Sequence, residues 1–500
     1  MKNFFFLRVK KLDIETGSPW VVIINNADAQ RNGLRAGDQL LLRWGKHTRE
    51  VIVDITDSMV KPGQIGLFED IINKCRFENN KLIQLTLSTH SESIKAIQKK
   101  ILGKKLSYKE IYSIINDVVE YKLDDAEMAF FVAGAFSKST CLSRRELFYL
   151  AKAIAYTGKI FRFGNIVVDK HSIGGIPGNR VTPIIVAIIA SYGIIIPKTS
   201  TRAVTSAAGT ADTFEVLAPV TFGAKDLQKF IKKANAFLVW GAEDIAPADD
   251  RILSIVYKLG IELYNKMIVS IIAKKVGEGV THLILDIPVG PTAKVTNMKD
   301  ARKIANLFLF LAKKFNIKIK IIISKSVKGP IGKGIGPTLE ARDVLRVLQQ
   351  KENRPIDLEE KSILLAGKLL ELTGKVKKGL GSYFSRKALI NGNAWKKMKQ
   401  IITIQGGKPL DSEQIKQGKI KLDIIAHKTG RITEVHNKNL VEICRLLGAP
   451  GTKTAGIYFH KMIKEPVKTG DVLFTLYTSS ILHLSAAKEA LKKIWIYKIK

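Results

Sequence analysis

At 500 residues with 46% hydrophobic side chains, the chain is too long for one ordinary domain and rich enough in apolar residues for several cores, which excludes a disordered or fibrous protein. Its three distant cysteines, Cys75, Cys141 and Cys444, exclude a disulfide framework and a metal knuckle and fit a reducing cytoplasm. The net charge of +36 favours anionic partners, but the lysines run from end to end without interleaved aromatics, so solvated faces and a field that steers small phosphorylated substrates are expected rather than a nucleic-acid groove.

The start of the chain, Met1 to Arg8, has too few adjacent apolar residues for a signal peptide. Residues 1–88 read as a β-rich domain, with strands at Leu7 to Lys11, Trp20 to Ile24, Leu40 to Trp44 and Leu82 to Leu87, and with Gly33 to Asp38 as a turn between strands. Residues 91–160 change to the helical period: Ile94, Ile97 and Ile101, then Tyr108, Ile111, Ile114 and Ile115, then Met128, Phe131, Val132 and Phe136. Ser107/Glu110 and Ser143/Glu146 have capping-box spacing.

The centre of the chain is Val167 to Arg180. A short apolar strand runs into Lys170, His171, Ser172, Gly174, Gly175 and Gly178, and a long apolar segment, Val181 to Ile196, follows as buried helix and next strand. Glycines admit a ligand close to the backbone, and the N–H groups of a following helix favour an anion. The spacing fits neither a Walker loop nor a GxGxxG fingerprint. It suits a phosphate cradle or, equally, a glycine-rich strand-to-helix turn. Val181 to Pro197, interrupted by Thr182-Pro183 and Ser191-Tyr-Gly193, is too short to span a bilayer.

Pro197 to Glu215 is dense in Ser and Thr, with Arg202 and Gly209, and reads as a second anion-binding loop. Two such loops at successive strand ends fit an open α/β sheet with its ligand at the carboxyl edge. Helix returns over 244–277, where Asp249 and Asp250 read as capping acids and Ser270 and Lys274, four apart, share a helix face. Thr281 to Ile287 and Ile317 to Ile323 read as strands, Gly329 to Pro337 as a glycine-rich loop and Glu340 to Leu348 as a helix. Residues 425–500 turn β-rich, with Gly451 to Leu476 resembling a small barrel or sandwich. His282, His427, His436, His460 and His483 read as structural. The fold class expected is α/β: a helical lobe (91–160 with 244–277) and an α/β phosphate-binding lobe (161–243 and 278–424), with an N-terminal β-rich domain and a C-terminal α+β domain.

Asp169-Lys-His-Ser-Ile-Gly-Gly175, Thr201 through Glu215, and Ser270-Ile-Ile-Ala-Lys274-Lys275 resemble, in that order, the motifs of the thymidine/pyrimidine-nucleoside phosphorylase family. His427-Lys-Thr-Gly to Gly470-Asp-Val-Leu resembles that family's C-terminal domain, so the resemblance covers essentially the whole chain. The extra β domain at the front and the form Gly-Gly-Ile-Pro-Gly-Asn resemble its longer branch, which holds type 2 thymidine phosphorylases and AMP phosphorylases.

The resemblance implies an enzyme that uses inorganic phosphate as co-substrate, with no cofactor and no metal. Phosphate attacks C1′ of a nucleoside or nucleotide and the base leaves. It implies that Lys170, Ser172, Ser200 and Thr210 hold phosphate, with Thr182 a fifth, and that His171 donates a proton toward the base. Ser270 and Lys274 match base-reading positions, and Glu262, eight residues before Ser270, matches the proposed proton donor of the AMP branch. Gly175, the loop Thr201, Arg202, Ala203, Val204, Thr205 and Ser206, then Thr210 and Lys294 match nucleotide-binding positions, Arg202 toward a 5′-phosphate. The arginine that holds a pyrimidine carbonyl in thymidine enzymes is replaced by Val256 or Ile255, depending on the direction of counting. Thymidine phosphorolysis is the first expectation, AMP phosphorolysis the alternative, and nucleic-acid binding the reading outside this class. A cytoplasmic homodimer without membrane partners is expected, with larger assembly through the N-terminal domain. Its two lobes would carry phosphate and base and close on each other.

Overall fold

The computed structural model describes the chain apart from residues 1–3, 17–19, 46, 88–91, 204–205, 242–244, 259–262 and 326. The chain begins with β1 (Phe4–Lys11), β2 (Val21–Asn25), α1 (Asn26–Arg31), β3 (Gln39–Trp44), β4 (His47–Thr56), β5 (Gln64–Leu67), α2 (Glu69–Cys75) and β6 (Leu82–Leu87). Helices α3 (Glu92–Ile101), α4 (Tyr108–Val119), α5 (Asp125–Phe136) and α6 (Arg144–Tyr156) follow. Next come β7 (Val168–Ser172), α7 (Val181–Ser191), β8 (Ile196–Ser200), α8 (Thr210–Phe214), α9 (Ala224–Ala234) and β9 (Ala236–Trp240). The chain continues through α10 (Pro247–Lys258), α11 (Tyr264–Gly277), β10 (His282–Pro288), α12 (Met298–Lys314), β11 (Lys318–Ser324) and β12 (Gly334–Ile335). Four helices, α13 (Pro337–Leu348), α14 (Ile356–Leu372), α15 (Gly381–Ile390) and α16 (Asn393–Ile404), lead into β13 (Ile420–Ile425) and β14 (Gly430–Val435). The last elements are α17 (Asn437–Leu446), β15 (Gly456–Phe459), β16 (Pro466–Val467), β17 (Val472–Thr478), α18 (Ile481–Leu491) and β18 (Tyr497–Ile499).

These elements form two compact units. The first comprises Met1–Lys159 and Ala246–Ala273. Its strands close a barrel in the order β1-β5-β2-β4-β3-β6. Leu7 and Val9, Leu40 and Leu42, and Ile83 and Leu85 fill the interior at the two-residue spacing of strands. Gly33 to Asp38 joins α1 to β3 rather than two strands. The short helix α1 is set off by Asn25, whose side chain accepts the Ala27 N–H at 3.0 Å. Helices α4 and α6 start with the expected capping boxes, and α5 has a third at Asp124 and Glu127. The barrel meets the helical layer where Trp20 stacks on Tyr121 (5.9 Å between centroids) and Arg49 pairs with Glu120 at 2.5 Å.

The second unit comprises Ile160–Ile245 and Lys274–Lys500. Parallel strands run in the order β11-β10-β7, and β8-β9 continues this array through a bridge between Val167 and Ile195. From β7 the chain steps to β8 and β9 on one side and returns to β10 and β11 on the other. The order therefore reverses beside β7, and the carboxyl ends of strands at such a point form a ligand crevice. Helix α7 is apolar all round and lies within the core formed with α13 to α16. In the C-terminal part, β12-β15-β17-β13 and β16-β14-β18 are separate sheets accompanied by α17 and α18. The stretch expected as a barrel or sandwich thus divides its strands between two sheets, because apolar faces of helices supply part of the core. Among the described residues no helix is long and apolar enough to cross a membrane.

Candidate active site

Strand β7 presents two different faces, as the alternation of a strand requires. Lys170 and Ser172 share one. Ser172 Oγ donates to Asp286 Oδ2 at 3.0 Å, from the register position directly opposite on β10. Ser324 Oγ of β11 donates to Asp286 Oδ1 at 3.3 Å, and Lys361 Nζ of α14 stands 2.9 Å from Oδ2. Lys170 is only 2% exposed. Burial brings its ammonium down to about 7, with Lys361 adding repulsion and Asp286 opposing it. Burial also pushes Asp286 up, but Lys361 and Lys170 outweigh it and hold the carboxyl below its usual range.

Asp169 and His171 share the other face. Asp169 pairs with Lys198 of β8 at 3.0 Å and with Lys275 of α11 at 2.7 Å. Lys275 also pairs with Glu278 at 2.6 Å, and Thr199 donates to Glu278. Lys198 Nζ reaches the Lys170 carbonyl at 3.3 Å, so this buried layer fixes the backbone of β7. Burial first, then the charges of Lys198, Lys275, Lys170 and Lys274, hold the His171 imidazole well below the usual histidine range. A neutral imidazole at this place offers an N–H donor.

The loop after β7 is built on close backbone approach. Gly175 has φ +83°, and a Cβ on it would lie 2.3 Å from the Lys294 nitrogen. Only glycine fits there, and the packing brings Gly175 and Lys294 together. Arg180 ends the loop. It pairs with buried Glu340 of α13, donates to Thr210 Oγ1 at 3.1 Å and donates to the Ala208 carbonyl at 2.6 Å. The cradle and the second loop are thereby tied to each other. Thr182 lies in the first turn of α7, 7% exposed.

In the second loop, Asp212 Oδ2 accepts the N–H groups of Ala203 (2.7 Å) and Gly209 (2.8 Å). Arg202 donates to Asp212 at 3.2 Å and grips Glu215 through two bonds of 2.8 and 2.7 Å, while its guanidinium lies 4.7 Å from the Trp240 ring centroid. Arg202 drives the Glu215 carboxyl down to about 2, and Lys453 adds to this. Arg202 is thus held by carboxylates, an arrangement its sequence position did not suggest. Ser200 Oγ donates to the Thr201 carbonyl at 3.3 Å and Ser206 Oγ to the Ala208 carbonyl at 2.9 Å. Val204, Thr205 and Glu262 lie outside the described residues.

On α11, Ser270 Oγ donates to Asp249 Oδ2 at 2.5 Å, and Lys266 pairs with Asp249 Oδ1 at 3.1 Å; Lys274 follows Ser270 by one turn. Asp249 and Asp250 lie in the first turn of α10 as expected of capping acids, and Asp249 is in addition a buried partner of Ser270. Ile255 and Val256 are 3% and 7% exposed on α10. The arginine of that helix, Arg251, donates to the carbonyls of Val118 (2.6 Å) and Leu123 (3.4 Å) and lies over Tyr121. Three histidines expected to be structural have local partners: His282 with Thr281, His436 with the Asn439 N–H, and His460 with Thr475.

Residues 94–158 match the "Glycosyl transferase family, helical bundle domain", residues 164–394 the "Glycosyl transferase family, a/b domain" and residues 431–498 the "Pyrimidine nucleoside phosphorylase C-terminal domain". Over 485 residues the chain is 38% identical to a Methanosarcina acetivorans protein named AMP phosphorylase, covering 96% of this chain and 94% of that protein. The chain belongs to the nucleoside/AMP phosphorylase family. It is an enzyme of the pentosyltransferase class, in a family that uses phosphate as co-substrate. Another member, from Bradyrhizobium sp. and provisionally named thymidine phosphorylase, is 38% identical over 478 residues, covering 94% of this chain and 92% of its own. The family fold is shared with anthranilate phosphoribosyltransferase from Thermus thermophilus, at a TM-score of 0.50 and 16% identity over 62% of this chain and 99% of that one.

Motif reasoning did not find Arg180, Asp212, Asp286, Lys361 or the Lys198–Lys275–Glu278 layer of this family member. One signal was present. Asp286 is a lone acid within the apolar run Leu283-Ile-Leu-Asp-Ile, and a carboxylate in a buried strand needs partners. Those partners come from β7, β11 and α14, which only the fold brings together.

Proposed function

We propose that the enzyme catalyses reversible phosphorolysis of AMP, releasing adenine and forming ribose 1,5-bisphosphate. The observation that carries this reading is the whole-length similarity to proteins named AMP phosphorylase, 38% over 485 residues. The aliphatic Ile255 and Val256, with Arg251 engaged elsewhere, support it, because none is placed to donate to a pyrimidine carbonyl. The order of the two substrates is thus the reverse of that expected from the motifs alone. The Bradyrhizobium relative and the Ser270/Lys274 face keep thymidine as the second reading.

In this proposal Lys170, Ser172, Ser200, Thr210 and Thr182 hold inorganic phosphate. One phosphate oxygen bonds to C1′ as the C1′–N bond breaks, and the bond's electron pair leaves with the base. Fixing the nucleophile removes much of the entropic barrier. Neutral His171, Ser270 and Lys274 stabilise negative charge growing on the base, and Glu262 delivers the proton. Gly175, Lys294 and the loop from Thr201 to Ser206 receive the nucleotide, with Arg202 braced by Glu215 and Asp212. Comparing kcat/KM for AMP, CMP, adenosine, thymidine and uridine tests the assignment. AMP should lead, and Arg202→Ala should reduce AMP and CMP turnover far more than that of the nucleosides. Thymidine leading would replace AMP by the second reading.

A further inference from the structure

The two faces of β7 differ in charge balance. On the Asp169 face, two carboxylates (Asp169, Glu278) meet two ammonium groups (Lys198, Lys275), so the layer is internally compensated. On the Lys170 face, two lysines converge on a single carboxylate, Asp286, which also receives the hydroxyls of Ser172 and Ser324. The Lys361 side chain is 13% exposed, and its Nζ is fully buried. This nitrogen stands 2.9 Å from Asp286 Oδ2, and among the described residues no other acceptor meets it. A buried ammonium carries three donors and a high cost if they go unmatched. Two lysines that share one carboxylate, beside a glycine loop and a helix start, can both carry charge only when an anion joins them, so the place suits an anion.

We propose that Lys361 is a further phosphate-binding residue, completing from α14 the anion site that Lys170 and Ser172 begin on β7. This rests on the reading of the enzyme as a phosphorylase, not on which base it releases. Lys361 lies about 190 residues from the cradle motif, within an otherwise ordinary amphipathic helix, so no local pattern marks it. When the anion is absent Asp286 balances one of the two lysines, and phosphate supplies the second negative charge that lets both be protonated.

The test uses the full chain, inorganic phosphate as the probe, and Lys361→Met and Lys361→Arg. Removing a charge-assisted contact should raise the phosphate dissociation constant, and KM for phosphate, about ten- to a hundred-fold. KM for the nucleotide should stay near wild type, and the Arg variant should retain most of the phosphate affinity. Without phosphate, Lys361→Met should be at least as heat-stable as wild type, since Lys170, relieved of the repulsion from Lys361, can then carry the charge that balances Asp286. A Met variant that binds phosphate like wild type overturns the proposal. So does one that fails to fold or is markedly less stable without phosphate, because Lys361 is then a structural partner of Asp286. If wild type itself binds no phosphate, the phosphorylase reading fails with it.

Discussion

Lys170 shows how one buried position sets the pH behaviour of a site. Burial lowers it from 10.5 to about 7, Lys361 and Lys198 push the same way, and Asp286 and Asp169 oppose. Between these two values the proposal has Lys170 largely neutral in the anion-free enzyme and charged again beside bound phosphate. Phosphate binding at pH 8 should therefore take up a proton, and affinity per phosphate dianion should fall as pH rises through about 7. Calorimetric titration in two buffers of different ionisation enthalpy measures this directly; no uptake at pH 8 would mean that phosphate does not change the charge of Lys170. His171 poses the opposite case. In the proposed reaction its neutral form is the working one, so kcat should show no limb at the ordinary histidine value of 6.5, and His171→Ala should cost about 10²–10³ in turnover. A kcat that collapses as pH rises through that value would mark an imidazolium acid.

At the scale of elements, the cradle loop is held open by Gly175 against the Lys294 backbone. Gly175→Ala meets both a positive φ and a backbone atom 2.3 Å away, so the loop must shift. The strain is of order 1–3 kcal/mol, and displacing the phosphate by about 1 Å costs on the order of 10² in turnover. Steady-state kinetics with a melting curve checks this; wild-type activity would show that the loop need not be positioned by this contact. Trp20 stacks on Tyr121 and is 5% exposed, so Trp20→Ala should lower stability in denaturant by about 3–5 kcal/mol. An unchanged unfolding curve would show that the barrel does not draw stability from the helical layer.

The same elements show what could be read from the chain. Strands β1, β2, β3 and β6 were legible because their apolar residues alternate or run together. β4 opens on polar residues and β5 is four residues long with a central glycine, so neither carried enough period to be seen. The glycine-rich strand-to-helix turn after β7 and the helix face shared by Ser270 and Lys274 were legible because their residues are local in sequence. Asp286 with Lys361, and Asp212 with Arg202, depend on contacts across the fold. The ion pairs of Arg202 in particular could not be anticipated from a loop of small polar residues.

For the whole molecule, the net charge of +36 is spread over the chain rather than gathered in one motif. Binding to duplex DNA should therefore be weak, steeply salt-dependent and lost at physiological salt. A filter-binding titration across salt that found tight, salt-resistant binding would require a nucleic-acid function as well. The central claim concerns the bond that is broken and the species that breaks it. Phosphorus NMR of the wild-type enzyme with AMP and inorganic phosphate tests it most directly. The account predicts that inorganic phosphate is consumed in step with adenine release and that ribose 1,5-bisphosphate appears. Adenine released without loss of inorganic phosphate, or no release of adenine at all, would contradict it.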